Sequence, residues 1–303
     1  MIALVCRGHF LSRSLVAPGS FFSLSVIRIE KLTHTYTPPP GMDSDPIQAL
    51  RGIDLEIDAG EYVAIVGANG SGKTTLARHL NALLLPTTGQ VWVSGRSTLD
   101  AAAIRAIRAD VGMVFQSPAD QMVATVVQED VAFGPENLGV PERELPARVR
   151  AALERVGMWA ARHRPPHLLS AGQQQRVAIA GVLAMNPRCL VLDEATAMLD
   201  PAGRRDVLAV LDALHSTGLT IVTITHRMEE ALRAQRVVVM YKGRVVLDGP
   251  PGRVFSSGGL ASLGLALPPV IELARRLRSH LALPAEILTV EGLADAIVEV
   301  VRR

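Results

Sequence analysis

The 303-residue chain carries two cysteines, Cys6 and Cys189, far apart and in no CxxC pair. That excludes a disulfide framework and a thiolate metal knuckle. Cys189 falls in an apolar strand pattern and reads as a buried small hydrophobe. Lysine is nearly missing: of 31 basic residues only Lys31, Lys73 and Lys242 are lysines, so a lysine inside a patterned loop is informative. Aromatic residues are 4% and do not interleave with basic runs, and the formal net charge is +2. Neither a nucleic acid nor an anionic membrane surface is favoured by such a chain. Mean hydropathy is +0.26, yet no apolar run approaches the roughly 18 residues of a spanning helix, so the excess must enter a core or a partner.

Met1 to Ser25 has Arg7 and Arg13, but Pro18, Gly19 and Ser20 interrupt any continuous apolar region of an export signal. Residues 1–25 are expected to be a disordered extension, or translation assigned from too early a start. Val26-Ile27-Arg28-Ile29-Glu30 alternates and reads as an edge strand, followed by Tyr36 and the Pro38-Pro39-Pro40-Gly41 loop. Ile53 to Asp58 alternates again before the apolar run Tyr62 to Val66.

That run leads into Gly67-Ala68-Asn69-Gly70-Ser71-Gly72-Lys73-Thr74, which fills GxxxxGK[ST], with Thr75 after it. A strand ending in a glycine-rich turn that opens a helix aims backbone N–H groups and the helix's positive end at one spot, a nest for phosphates. Lys73 is placed to reach the terminal phosphates and the Thr74 hydroxyl to ligate Mg²⁺. Leu76, Ala77, Leu80 and Leu83 continue at helical spacing, which separates this stretch from an ordinary glycine turn.

Downstream, Val91-Trp92-Val93 reads as a strand and Asp100 to Arg108 as a short helix capped by Asp100. Val111 to Phe115 reads as a buried strand ending in Gln116, and the pattern turns helical from Gln121 to about Arg164, an inserted helical lobe. Ala178 to Ala184 is a helix stopped at Asn186-Pro187, and Cys189 to Leu192 a strand closed by Asp193-Glu194. A helix from Ala202 to Leu214, a strand Thr220 to Ile224 ending near His226 and a hairpin around Lys242-Gly243 follow. Strands alternating with helices imply a mostly parallel sheet with ligands at its carboxyl ends. Pro250 to Gly259 reads as a linker, and beyond it two short amphipathic helices need a surface to pack on.

Phosphoryl transfer to water needs a phosphate cradle, a metal, a positioned water and charge compensation. Asp193 is the expected carboxylate near Mg²⁺, and Glu194 can orient and deprotonate the water. Gln116 could touch metal or water, and His226 could bond the γ-phosphate.

Leu169-Ser170-Ala171-Gly172-Gln173 resembles the LSGGQ signature of ABC-type ATPases, and the rest of that pattern follows in order. The resemblance implies that Tyr36 stacks on adenine, Gln116 is the Q-loop, Cys189 to Glu194 the Walker B strand with its catalytic glutamate, Ala197 to Asp200 the D-loop and His226 the switch histidine. It implies ATP binding by Tyr36, Gly67, Asn69, Gly70, Ser71, Gly72, Lys73, Thr74, Thr75, Ser170, Gly172, Gln173 and Asp200, and Mg²⁺ at Thr74, Gln116 and Asp193. Ala171 departs from the first glycine of the signature and Arg227 from the acidic residue frequent after the histidine.

Gln116 to Val123, Glu129 to Asn137 and the tail from Leu267 through Val290 are similar to the ATPase A-components of energy-coupling factor (ECF) transporters, importers of vitamins, cobalt or nickel. The fold implied is α/β, a P-loop NTPase of ABC type over residues 26–255 with an antiparallel β edge, an inserted helical subdomain at about 121–185 and a helical dimerisation segment at 256–303. The implied partners are a second ATPase subunit, identical or paralogous, a transmembrane coupling subunit and a substrate-binding membrane subunit, with no nucleic acid. The implied place is the cytoplasmic face of the membrane, with Glu129, Asp130 and Glu136 offered to basic groups of the coupling subunit. An ATPase of another ABC transporter and a soluble ABC protein remain the alternatives; the latter commonly has coiled-coil arms or two ATPase domains, and neither pattern occurs here.

Overall fold

The computed structural model describes residues 25–38, 45–284 and 286–302. The expectations for residues 1–24 and the loop at 39–44 lie outside them. The first alternating run is β1 (Ser25–Tyr36), paired antiparallel with β2 (Ile47–Asp58). After β3 (Tyr62–Val66) and α1 (Lys73–Leu80) come β4 (Thr88–Val93) and β5 (Arg96–Ser97), giving a four-stranded sheet of order β2-β1-β4-β5. β1 is thus internal and not an edge strand. In a sheet with one face buried, an internal strand alternates as an edge strand does, so the pattern could not separate them.

Asp100 does not cap a helix: its carboxylate accepts from the Ala102 N–H in a turn, and α2 (Ile104–Asp110) begins four residues after Asp100. β6 (Val111–Val114) follows, then the helices α3 (Val127–Asn137), α4 (Leu145–Arg155) and α5 (Ala171–Ala184). Next come β7 (Cys189–Asp193), α6 (Pro201–Ser216), β8 (Thr220–Thr225), α7 (Met228–Ala231), β9 (Arg236–Tyr241) and β10 (Arg244–Gly249).

The second sheet has the order β10-β9-β3-β8-β7-β6. All its pairs are parallel except β9 with β10. β3, β6, β7 and β8 are buried along their whole length, as strands covered on both faces must be, which explains their unbroken apolar composition. Its faces divide the core. Tyr62, Ala64 and Val66 join one apolar cluster with α5 and α6, while Val63 and Ile65 join another with Leu76 and Leu80 of α1 and Ile27, Leu50 and Ile53 of the antiparallel sheet. The thiol of Cys189, buried in β7, is pushed up to about 12 by desolvation, so it is an inert core group.

Pro250 to Gly259 is not an open linker. It contains α8 (Pro251–Ser256), whose Pro251, Gly252, Val254 and Phe255 are buried. Proline at the first helical position lacks an N–H that would be unpaired there anyway, so a turn signal and a helix start look alike in sequence. In the tail, α9 (Pro269–Leu277) puts Ile271 into the main core, while Ala274, Leu283, Ile287 and Leu293 build a small cluster shared with α10 (Val290–Val301). α9 therefore leans on the main body, and α10 packs on α9 through the small cluster.

Gly112 in β6 is where α5 meets the sheet: a Cβ there would lie 2.1 Å from Val182 Cγ1. Gly112→Ala should destabilise the fold by about 1–3 kcal/mol through overpacking, and adding Val182→Ala should restore part of that loss. Urea unfolding of the two variants measures both; equal stability of Gly112→Ala and the parent would contradict the close contact.

Candidate active site

The parallel register collects the motif residues. Val66 is paired with Thr225, Asp193 with Ile224 and Leu192 with Val114, so β3, β8, β7 and β6 end on one edge. Gly67, His226, Glu194 and Gln116 therefore start their loops side by side.

The loop from Gly67 to Gly72 is closely fitted. A Cβ on Gly67 would come within 2.4 Å of the Met240 carbonyl, and Gly70 and Gly72 have φ of 76° and 99°, the left-handed region open to glycine. Lys73 is buried and its Nζ donates to the carbonyls of Gly67 (2.8 Å) and Ala68 (3.0 Å). Burial lowers its pKa, against the pull of the nearby Glu194 and Asp193 carboxylates. Ser71 Oγ is buried without a hydrogen-bond partner. An unpaired hydroxyl and a desolvated ammonium at one glycine turn fit an anionic ligand that would satisfy both.

Thr74 Oγ1 donates to Asp193 Oδ1 at 3.1 Å. Burial raises the Asp193 pKa, partly offset by that hydrogen bond. A cavity of about 350 Å³ is lined by Thr74, Gln116, Asp193 and Glu194, together with Arg78, Phe115 and Gln121. Its few hard oxygen donors suit Mg²⁺, which takes its remaining ligands from water and substrate phosphates. Among the described residues no group of three or more His, Cys, Asp or Glu forms an all-protein cage.

Glu194 holds φ of 50°, a conformation costly for a residue with a Cβ, and its N–H donates to the Ile224 carbonyl at 2.9 Å. His226 Nδ1 stands 3.5 Å from Glu194 Oε2. A second cavity, of about 550 Å³, shares Thr74 and Glu194 with the first and extends past Asn69, Gly70, Gly72, Lys73 and Thr75 to Tyr36. Tyr36 is 39% exposed, its hydroxyl 3.2 Å from Thr75 Oγ1 and its ring edge-on to His34 at 4.6 Å. The ring is thus anchored and partly exposed at the cavity.

Ser170, Gly172, Gln173 and Asp200 line neither cavity. Ser170 is exposed at the start of α5 in a capping box: Gln173 N–H donates to Ser170 Oγ at 3.3 Å, and Ser170 N–H donates to Gln173 Oε1 at 3.0 Å. Ala171 is the first residue of α5 and has no positive φ, so the alanine causes no backbone strain. Gly172 is constrained instead: a Cβ there would lie 2.8 Å from Gly203 Cα in α6, whose first turn Asp200 caps by accepting from the Gly203 N–H. Arg227 donates its N–H to Thr225 Oγ1, and nothing in the structure explains why an arginine stands there.

Four features escaped sequence reasoning. Gln121 clamps Phe115 by accepting from its N–H and donating to its carbonyl, and Gln175 of α5 donates to the same carbonyl at 3.4 Å, so the base of the Gln116 loop is tied to the signature helix. Lys242 and Gly243, at the β9–β10 turn, and Arg51 line the larger cavity; the scarcity of lysine was the one available signal. Asp130 is buried and accepts from the N–H groups of Val123 and Ala124, so it is not offered to a partner's basic groups as expected. Glu230 is buried against Thr196 and Thr225.

Residues 50–197 match the family model described as ABC transporter. The chain is 54% identical over 278 residues to the energy-coupling factor transporter ATP-binding protein EcfA1 of Symbiobacterium thermophilum, covering 90% of this chain and 97% of that one. Among solved structures, cbiO1 from Clostridium perfringens, described as part of the ABC transporter complex cbiONQ, superposes with a TM-score of 0.70 at 36% identity, over 85% of this chain and 96% of that one. The ATP-binding cassette MJ0796, solved as a dimer in a post-hydrolysis state bound to ADP and Pi, gives 0.66 at 30% identity over 74% and 98% of the two chains. With a cradle for phosphates, a carboxylate pair at the strand ends and relatives matched over nearly their whole length, this chain belongs to the energy-coupling factor transporter ATP-binding proteins of the ABC transporter family.

Proposed function

We propose that the chain hydrolyses ATP as the A-component of an ECF-type importer at the cytoplasmic face of a membrane, paired with an identical or paralogous ATPase. A transmembrane coupling subunit and a substrate-binding membrane subunit for a vitamin or transition-metal micronutrient complete the assembly. The names of the relatives and the membership of cbiO1 in a transporter complex support this reading. The observation that carries it is the division of the motifs: the phosphate loop, Asp193, Glu194 and His226 share one edge of the sheet, whereas exposed Ser170 lies outside both cavities there.

Tyr36 stacks on the base. Lys73 turns from the Gly67 and Ala68 carbonyls to the terminal phosphates, and the unpaired Ser71 hydroxyl and the loop N–H groups bind alongside it. Thr74, Asp193 and Gln116 hold Mg²⁺, which neutralises phosphate charge when bound. Glu194 orients the attacking water and accepts its proton as the water oxygen bonds to the γ-phosphorus and the bridging bond to ADP breaks. His226, 3.5 Å from Glu194, keeps that carboxylate aimed and reaches the γ-phosphate. Ser170, Gly172, Gln173 and Asp200 serve the site of the partner subunit, so a closed pair binds ATP on both faces and an open one on a single face.

The surface around residues 121–137 meets the coupling subunit through an apolar groove, where Val123 and Phe133 are 61% and 50% exposed, and of the acidic residues expected to join it Glu129 and Glu136 are exposed whereas Asp130 is not. The tail, with exposed Leu273, Val290, Val298 and Val301, supplies a surface for pairing the ATPases.

Glu194→Gln should retain ATP binding and lower turnover of the assembled complex by roughly 10²-fold or more, the scale of a lost general base. Near-normal hydrolysis would remove Glu194 from that role. Tyr36→Ala should weaken ATP binding by about 1–3 kcal/mol, the range of a lost base stack, as titration calorimetry would measure. Ser170→Ala should depress hydrolysis by the complex yet leave ATP affinity of the separated chain unchanged; loss of affinity in the single chain would place Ser170 in its own site and refute the shared one.

A further inference from the structure

Glu230 is a carboxylate buried at 7% exposure on the short helix α7, outside both cavities of the site. Its Oε1 accepts from Thr196 Oγ1 at 2.7 Å and its Oε2 from Thr225 Oγ1 at 2.9 Å. Thr196 lies two residues after Glu194, and Thr225 immediately precedes His226. Thr225 Oγ1 in turn accepts from the Arg227 N–H at 3.0 Å, so the strand end and the turn after it are fixed together. Arg204 of α6 brings its Nε to 3.8 Å from Glu230 Oε1, while its Nη2 donates to the carbonyl of Leu199, next to Asp200.

One carboxylate therefore joins the turn that carries the water-activating glutamate, the strand that carries the switch histidine and the helix behind the loop that faces the partner. Holding these segments for stability alone would not require a charge. A buried carboxylate is costly to desolvate, and an apolar contact would join the same segments as well or better. The carboxylate instead supplies two rigid acceptors a fixed distance apart, and so sets the spacing between Thr196 and Thr225. Glu194, in its left-handed conformation, and His226 stand on the two sides of that spacing, with 3.5 Å between their side chains.

We infer that Glu230 is a positioning residue for ATP hydrolysis: by clamping Thr196 to Thr225 it sets the separation of Glu194 from His226, and through Arg204 it ties that separation to the 197–200 loop. The inference rests on the reading of Glu194 and His226 as the hydrolytic pair. Glu230 does not touch nucleotide, and Lys73 and Tyr36 hold ATP without it.

The test uses the assembled transporter complex. Glu230→Gln keeps the shape and one acceptor, and Thr196→Val removes a single donor with little change of volume, so at least one of the pair should fold. Each should lower turnover at saturating ATP by about 10-fold or more, since a misplacement near 1 Å can cost roughly 100-fold, while the half-saturating ATP concentration stays within about twofold. In a Glu194→Gln background the same substitutions should cause no further loss, because the group they position is already disabled. Equal losses in both backgrounds, or undiminished turnover in the folded variants, would overturn the inference and leave the site reading intact. Normal turnover by Glu194→Gln alone would overturn both.

Discussion

Parallel pairing of β3, β8, β7 and β6 places four carboxyl ends on one edge, and the register leaves Gly67, His226, Glu194 and Gln116 each just beyond the last paired residues. Thr74 and Glu194, more than a hundred positions apart in the chain, thus line both cavities at that edge without either needing a long side chain. The strands can align in this way because they are buried on both faces and need no alternation, leaving the register to the backbone ladder and to the packing of α1 and α5. Gly112, with Val182 against it, is where that packing is tightest on the β6 side.

The edge so formed is dry enough for charges to matter. Lys73 loses part of its proton affinity and Asp193 gains some, in each case chiefly through burial. Both are held by neutral hydrogen bonds, Lys73 by two carbonyls and Asp193 by a hydroxyl. The unpaired Ser71 hydroxyl belongs to the same set. In contrast, Glu230 is fully engaged by two threonines, and its rigidity suits a group that holds other groups.

The signature at α5 is organised by a different constraint. Its serine and glutamine cap each other, and its glycine is needed because α5 and α6 approach through Gly172 and Gly203. The first glycine of the usual pair occupies an ordinary helical position, so Ala171 is accommodated where a left-handed residue would have been strained. Gln175, one turn further along, reaches the carbonyl of Phe115 and links this helix to the Gln116 loop. The signature helix and the residue before Gln116 are therefore joined by a side-chain hydrogen bond.

The motif order, the apolar strand runs and the glycine pattern were legible from the chain itself, because each is a local demand: a buried strand must be apolar, and a tight turn around an anion must be glycine-rich. The α/β class, the phosphate loop and the carboxylates at the end of the Walker B strand follow from those demands. Sequence could not tell an internal half-buried strand from an edge strand at β1, nor a helix start from a linker at Pro251, because both members of each pair carry the same composition. Nor could it show that Asp130 is spent on backbone N–H groups, that Gln121 clamps Phe115, or that Glu230 spans Thr196 and Thr225. Those roles depend on which polar side chains are carried into the interior beside which orphaned donors, and only the packing of distant segments decides that.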